Sequence, residues 1–309
     1  MMTKTLRKLT TTAKVVKPLK WHGGKHYLAK RIIELMPPHL HYVEPYFGGG
    51  SVLLARDPQR DWFANNGERL PAHLRGCSEV VNDINRELTN FWRVLAHPTA
   101  FDQFAKLVNS TPFSEHSFRQ AIDKQAKQLQ LRDGRIPGGV ERAKRAVWFF
   151  VRYRQSRQGL GKDFATLTRN RTRGNVNEQA NAYWGVVDGL PAASERLREV
   201  VILDSQNALK VIKQQDGENT LFYLDPPYLH QTRVTTDDYE HEMTATQHSN
   251  LLKALGRING SFILSGYRSA MYDGQAKLFG WRREDIEIDN KASSKSTKDK
   301  TVECLWMNY

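Results

Sequence analysis

Leu221-Phe222-Tyr223-Leu224-Asp225-Pro226-Pro227-Tyr228 is the stretch from which the fold of this chain is read. Four apolar residues in a row, two of them aromatic, form a strand pattern. Two prolines then end it: they fix the backbone extended, remove two N–H donors and leave their carbonyls free as acceptors. The segment offers an Asp carboxylate, a rigid carbonyl and an aromatic ring at the carboxyl end of a strand, where open α/β sheets bind ligands. That set suits an amino group on a flat heterocycle. The Asp225 carboxylate and the Pro226 carbonyl each accept one N–H bond, and Tyr228 stacks on the ring. The plainer alternative is a Pro-Pro turn bearing a surface Asp.

Working outward, short apolar runs recur at 41–47, 79–82, 200–204, 262–264, 285–288 and 302–307. Helical spacing follows most of them, at 25–36 (Leu28, Ile32, Ile33, Met36), 85–95, 207–215 and 244–258, the last opening on Thr244 as cap. Strands alternating with helices predict an α/β fold with a Rossmann-like, mostly parallel seven-stranded sheet covered on both faces. The last two runs are separated by a polar stretch without a helix, which predicts a C-terminal antiparallel hairpin. Residues 96–197 break the rhythm with helical patterns at 101–109, 114–131, 140–157 and 178–187 and a loop rich in Gly and Arg. They read as a mainly helical insert in a domain made of 18–95 and 198–309. Residues 1–17 read as a basic disordered tail and 291–300 as a mobile charged loop.

Charge divides the chain in the same place. Residues 1–20 carry six Lys/Arg and no acid, and residues 113–175 carry fifteen Lys/Arg against five Asp/Glu, leaving the rest at −3 out of a total of +13. A near-neutral body with a +10 segment reads as a catalytic scaffold bearing a polyanion-binding insert. A solvated helix face is the alternative, but arginine dominates here, and arginine is the cation that reads phosphates and bases. An apolar content of 39% excludes a disordered chain. No apolar run approaches the ~18 residues of a membrane span, and no secretory signal is present. Cys77 and Cys304 stand far apart with no metal-ligand spacing, which argues for a reducing compartment and against a metal site.

Three further segments carry chemistry. Glu44-Pro45-Tyr46-Phe47-Gly48-Gly49-Gly50-Ser51 runs from a strand into a glycine loop where a ligand can approach the backbone, at Gly48 first. It matches neither a P-loop nor a dinucleotide fingerprint, and Glu44 at the strand end favours a cationic ligand over a phosphate. Asn82-Asp83-Ile84-Asn85 ends the second strand, where an acid can hydrogen-bond both ribose hydroxyls of a nucleoside. Its wide separation from Glu44 is taken up by a loop at 57–76; Asp83 could also cap the next helix. Lys20-Trp21-His22-Gly23-Gly24-Lys25 precedes the first helix and alone could be a mere turn.

Taken together, in this order, the four segments resemble the Dam-like DNA adenine methylases of α motif order. The likeness spans 19–95 and 198–309, and Val302-Glu303-Cys304-Leu305-Trp306-Met307-Asn308-Tyr309 is similar to the family's closing strand. The resemblance implies S-adenosylmethionine as cofactor, contacted by Trp21, Lys25, Asp83 and Asp225, with Asp204 near its adenine. It also implies a target-recognition insert between strands two and three. The insert lacks the Asn-Arg-x-x-Phe-Asn stretch of enzymes reading GATC, so that site is unsupported. In its place stand Arg154 and Arg157, followed by Arg169, Arg171 and Arg173, which are the candidate DNA-binding residues. The expected protein is a cytoplasmic enzyme of prokaryotic or phage type, a monomer in solution that extrudes adenine from duplex DNA, without metal or membrane. The cytosine-amino methyltransferases use the same logic, but related enzymes favour Ser at position 225. Methylation of RNA or protein amides more often shows Asn there. A non-catalytic DNA-binding protein would have lost motif residues that this chain keeps.

Overall fold

A computed structural model describes residues 15–57, 76–129, 138–165, 172–173, 175–229, 241–289 and 300–309. The loop at 57–76, the tail at 1–17 and the charged stretch at 291–300 therefore fall almost wholly outside the described residues, as do Arg169 and Arg171.

All seven expected strands form one sheet. Strands β1 (His41–Glu44), β2 (Ser78–Val81), β5 (Val201–Ile202), β6 (Thr220–Leu224), β7 (Ser261–Gly266), β8 (Arg282–Asp289) and β9 (Lys300–Met307) lie in the order β5-β2-β1-β6-β7-β9-β8. The first five are parallel; β9 runs antiparallel between β7 and β8, giving the terminal hairpin. Strand β6 is buried at every position, as expected of a central strand covered on both sides.

The two-residue period of a strand builds two cores. Leu221, Tyr223, Ile263, Leu305 and Met307 join one face; Phe222, Leu224, Phe262, Leu264, Cys304 and Trp306 join the other. Helices α7 (Ala208–Gln215), α8 (Ala245–Leu255) and α9 (Ala270–Phe279) cover the second face. Helices α1 (Ala29–Leu35) and α2 (Arg86–Ala96) cover the first. Caps fall where short polar residues predict them: Asn85 caps α2, Asn207 caps α7, and Thr244 forms a reciprocal capping box with Gln247 on α8. Helix α9 escapes the sequence reading because it buries only Tyr272 and Ala276, too few to mark a face.

Between β2 and β5 lie α3 (Pro98–Asn109), α4 (Glu115–Leu129), α5 (Gly139–Arg154), the two-residue hairpin strands β3 (Thr172–Arg173) and β4 (Val176–Asn177), and α6 (Glu178–Leu197). The hairpin strands are too short to show a pattern. Helix α6 runs ten residues beyond its predicted end, through Pro191. The buried Leu190, Ala193 and Leu197, and a hydrogen bond from Ser194 Oγ to the Leu95 carbonyl at 2.6 Å, hold its second half despite the donor that proline removes. These helices share the first core: Phe91 of α2 stacks on Phe150 of α5 (6.2 Å between ring centroids, 12° between planes) and meets Phe104 of α3 edge-on at 5.9 Å. Among the described residues no helix is long and apolar enough to cross a membrane.

Candidate active site

Parallel strands deliver their carboxyl ends to one edge of the sheet, and a cavity of about 310 Å³ opens there, within the range of small-molecule sites. All four motif segments line it, through Trp21, Lys25, Glu44, Gly48, Asp83, Asp225 and Pro226 among others.

The glycine loop after β1 is shaped by what it must approach. Gly48 has φ +49°, a left-handed conformation that glycine adopts freely. A Cβ on Gly49 would lie 2.8 Å from the Trp21 Cβ, so only glycine lets the loop lie against that ring. Trp21 is anchored from the helical side by Tyr153 (4.8 Å between ring centroids) and Phe149 (6.0 Å) of α5. Gly48 accepts a hydrogen bond from Trp92 Nε1 at 3.1 Å and donates its N–H to Asp83 Oδ2 at 2.9 Å. The other Asp83 oxygen accepts from the Asn85 N–H at 2.9 Å. Asp83 thus braces the loop while Asn85 caps α2.

Glu44 is buried at the cavity wall and accepts a hydrogen bond from the Tyr42 hydroxyl at 2.7 Å. Burial pushes its carboxyl up to about 8, despite the lowering effects of Tyr42 and Arg56. Asn82 fastens the opposite wall: its side chain donates to the Pro45 and Gln206 carbonyls (3.1 and 2.9 Å) and accepts from the Gln206 N–H at 2.9 Å. Two buried polar atoms at the cavity, Ser51 Oγ and Gln206 Oε1, have no hydrogen-bond partner among the described residues. Unsatisfied groups of this kind need a ligand or water. Together with Asp83 and Glu44 they fit a nucleoside that carries positive charge.

The Asp-Pro-Pro-Tyr segment follows β6 directly. Lys25 Nζ lies 2.9 Å from Asp225 Oδ1 and 3.7 Å from Glu303 Oε1, and donates to the Gly23 carbonyl at 2.9 Å. Lys25 and Glu303 are buried, while Asp225 keeps 20% of its side chain exposed. Burial raises the Asp225 carboxyl, and the Lys25 ammonium and the Tyr228 hydroxyl pull it back down. Tyr228 is buried and does not line the cavity. Its hydroxyl donates to Glu303, its ring meets Tyr267 edge-on at 4.8 Å, and the Lys25 ammonium sits 4.7 Å from the ring centroid.

Asp204 also lies away from the cavity. Strand β5 stops at Ile202, Ser205 turns the chain with φ +47°, and Asn82 clamps Gln206, so Gln206–Leu209 face the cavity while Asp204 is exposed and paired with Arg93 at 2.9 Å. The segment 241–243 before α8 contributes to the rim without any motif to announce it.

Of the insert arginines, Arg157 and Arg173 are exposed and Arg154 is half-buried. Arg154 donates to the Ala182 carbonyl at 3.1 Å, and burial depresses its guanidinium to about 10. Lys17 and Lys20 lie close enough for burial and the Arg154 charge to lower both ammonium groups. Lys20 donates to the Ser156 carbonyl at 3.2 Å, and among the described residues no carboxylate pairs with any of the three. Three converging cations without an acid make a place for an anion.

Comparison with known proteins agrees with this geometry. The chain is 28% identical over 305 residues, 94% of either chain, to the Type II methyltransferase M1.LlaDCHI of Lactococcus lactis subsp. cremoris. It is 23% identical over 317 residues, 95% of this chain and 99% of the other, to the Type II methyltransferase M.MjaIII of Methanocaldococcus jannaschii. A shorter match of 89 residues at 35% identity, 28% of this chain and 26% of the other, links it to the DNA adenine methylase of Vibrio cholerae. Residues 21–280 match a whole family as well, and by that match the chain belongs to the D12 class N6 adenine-specific DNA methyltransferases.

Proposed function

We propose that this enzyme transfers a methyl group from S-adenosylmethionine to the exocyclic amino nitrogen of an adenine extruded from duplex DNA at a specific site, acting as a cytoplasmic monomer. The observation that carries this reading is the convergence of Trp21, Glu44, Asp83 and Asp225–Pro226 on one cavity, although they lie on three strand ends and a preceding turn. When bound, S-adenosylmethionine supplies the electrophilic methyl on its sulfonium. Asp83 holds the ribose, Glu44 balances positive charge, and Trp21 with Gly48 and Gly49 shapes the wall against which the nucleoside rests.

Adenine's amino lone pair is delocalised into its ring, so the nitrogen is a poor nucleophile. Asp225 and the Pro226 carbonyl accept the two amino hydrogens and turn the lone pair out of the ring plane. Direct in-line displacement then needs no covalent enzyme intermediate; the work lies in positioning and preorganised acceptors. Asp225 or solvent takes the surplus proton. Extruding the base costs about a few kcal/mol. Residues 96–197 form the target-recognition region in this reading. Lys17, Lys20 and Arg154 face phosphates, and Arg157, Arg169, Arg171 and Arg173 supply further backbone or guanine-edge contacts.

Asp225→Ala tests the chemistry. It is expected to abolish methyl transfer while leaving DNA binding in gel-shift assays largely intact. Methylation at the wild-type rate by that variant would falsify the mechanism.

A further inference from the structure

The methylation chemistry above assigns nothing to Glu303, a fully buried carboxylate in the closing strand. Topology explains how it arrives at the site. Strand β9 is antiparallel to β7, so its early residues lie beside the carboxyl end of β7, with Cys304 opposite Gly266. Strand alternation puts Glu303 on the side of Leu305 and Met307, the face that also carries Tyr223. There it accepts the Tyr228 hydroxyl and stands 3.7 Å from the Lys25 ammonium, which is 2.9 Å from Asp225. One buried cation thus serves two carboxylates, one buried and one partly exposed. An acid that is 1% exposed is costly to keep unless its charge has a use or a full set of partners.

We infer that Glu303 is a positioning residue for methyl transfer: it divides Lys25 between two carboxylates and tethers Tyr228, so that Asp225 keeps an oxygen free to accept from the adenine amino group. This inference rests on the Asp225 chemistry proposed above. Without Glu303, Lys25 pairs with Asp225 alone and draws its carboxylate away from the substrate, while the Tyr228 ring loses the hydrogen bond that fixes its angle. The ionisable groups facing Glu303 are Lys25 and Tyr27 ahead of α1, Asp225 and Tyr228 after β6, and Tyr267 after β7. Lys25 is the sole cation among them. Removing the Glu303 charge therefore makes ionisation of Asp225 easier.

The test is single-turnover methyl transfer to DNA from a methylase-free host, using labelled S-adenosylmethionine, as a function of pH. Glu303→Gln keeps an acceptor for Tyr228 and removes the charge. It is expected to lower the transfer rate by about 10- to 100-fold, as displacing a reacting group does, and to move the acid limb of the rate profile to lower pH. S-adenosylmethionine affinity, read from tryptophan fluorescence, and thermal stability are expected to stay within about twofold and a few degrees of wild type. If Glu303→Gln does not fold, Glu303→Asp, which keeps the charge but withdraws it by a methylene, is expected to show the rate loss without the pH shift. A wild-type rate and limb in the folded variant, or a rate loss that tracks stability with no shift of the limb, overturns the inference. A wild-type enzyme that modifies no adenine in this DNA would instead sink the methylation reading itself.

Discussion

The carboxyl edge of the sheet and the helical region at 98–197 are both rich in charge, and they use it in opposite ways. At the edge every charged group that faces the cavity is already tied to another part of the protein. Asp83 holds Gly48, Lys25 holds Asp225, and Glu44 accepts from Tyr42. In the helical region the arginines divide. Arg145 is spent on the buried Glu87 of α2, and Arg152 on the Gly161 carbonyl and Gln125. Arg154 is sheltered beside two lysines without an acid, and Arg157 and Arg173 stand in solvent. A sheet edge that performs chemistry must be rigid before its ligand arrives. A surface that grips a polyanion must leave its cations unanswered, so their number overstates how many are available for DNA.

This contrast can be broken at several points. The largest effect is expected at the edge. Lys25→Met removes the cation shared by Asp225 and Glu303 and leaves one buried and one partly exposed carboxylate without it. Asp225 is then harder to ionise and a weaker acceptor for an amino hydrogen. Methyl transfer is expected to fall by on the order of 10³-fold with DNA binding retained; a variant that methylates within tenfold of wild type would place Lys25 outside the catalytic arrangement. Next come two arginines of one helix, α5. Arg145→Ala strands Glu87 in the core and is expected to cost roughly 3–5 kcal/mol of stability without altering the salt dependence of DNA binding. Arg154→Ala is expected to leave thermal stability unchanged or slightly higher, since it relieves repulsion on Lys17 and Lys20. It should also reduce the slope of log affinity against log salt by about 1. If the two arginines exchanged phenotypes, the division between structural and DNA-facing charge would be reversed.

The smallest effect concerns protons. Glu44 titrates near 8, well above an ordinary carboxyl, so at pH 7 it is mostly neutral in the free protein. The sign for stability follows: between its unfolded value and about 8 the folded state holds the extra proton, so Glu44 costs stability increasingly as pH rises through that window. A cationic ligand beside it favours the ionised form. Binding of S-adenosylmethionine at pH 7 is therefore expected to release about one more proton from wild type than from Glu44→Gln. Calorimetry in buffers of different ionisation enthalpy measures the difference. Equal release from both would remove Glu44 from the contacts to positive charge.

What the sequence disclosed follows from how local each feature is. Strand β6 and its Asp-Pro-Pro-Tyr end were legible because period, burial and turn chemistry are all contained in nine residues. The bracing of Gly48 by Asp83 was not legible, since it joins two strand ends 35 residues apart that only the parallel pairing of β1 and β2 brings together. Glu303 was not, because its meaning depends on Tyr228, 75 residues away, and on the antiparallel placement of β9. Asp204 illustrates the converse. The family resemblance implied a place beside the cofactor adenine, but the positive φ at Ser205 and the clamp by Asn82 pass the cavity-facing role to Gln206. The role of an arginine in the helical region is set by which tertiary partner it finds, and no local pattern records that.

The position of β9 between β7 and β8 has a consequence for the order of folding. Strand β8 pairs with the sheet only through β9, so it cannot take its final place before β9 does. Their pairing is more local in sequence than that of β9 with β7, so the expected order is formation of the hairpin first and its docking onto β7 second. Glu303 rides on that hairpin. The parallel core, the glycine loop and the Lys25–Asp225 pair can be in place before it arrives, and the last element to settle is the one that tethers Tyr228. Assembly of the catalytic edge is thus coupled to completion of the sheet, and a partly folded chain holds its charge cluster without the group that aims it.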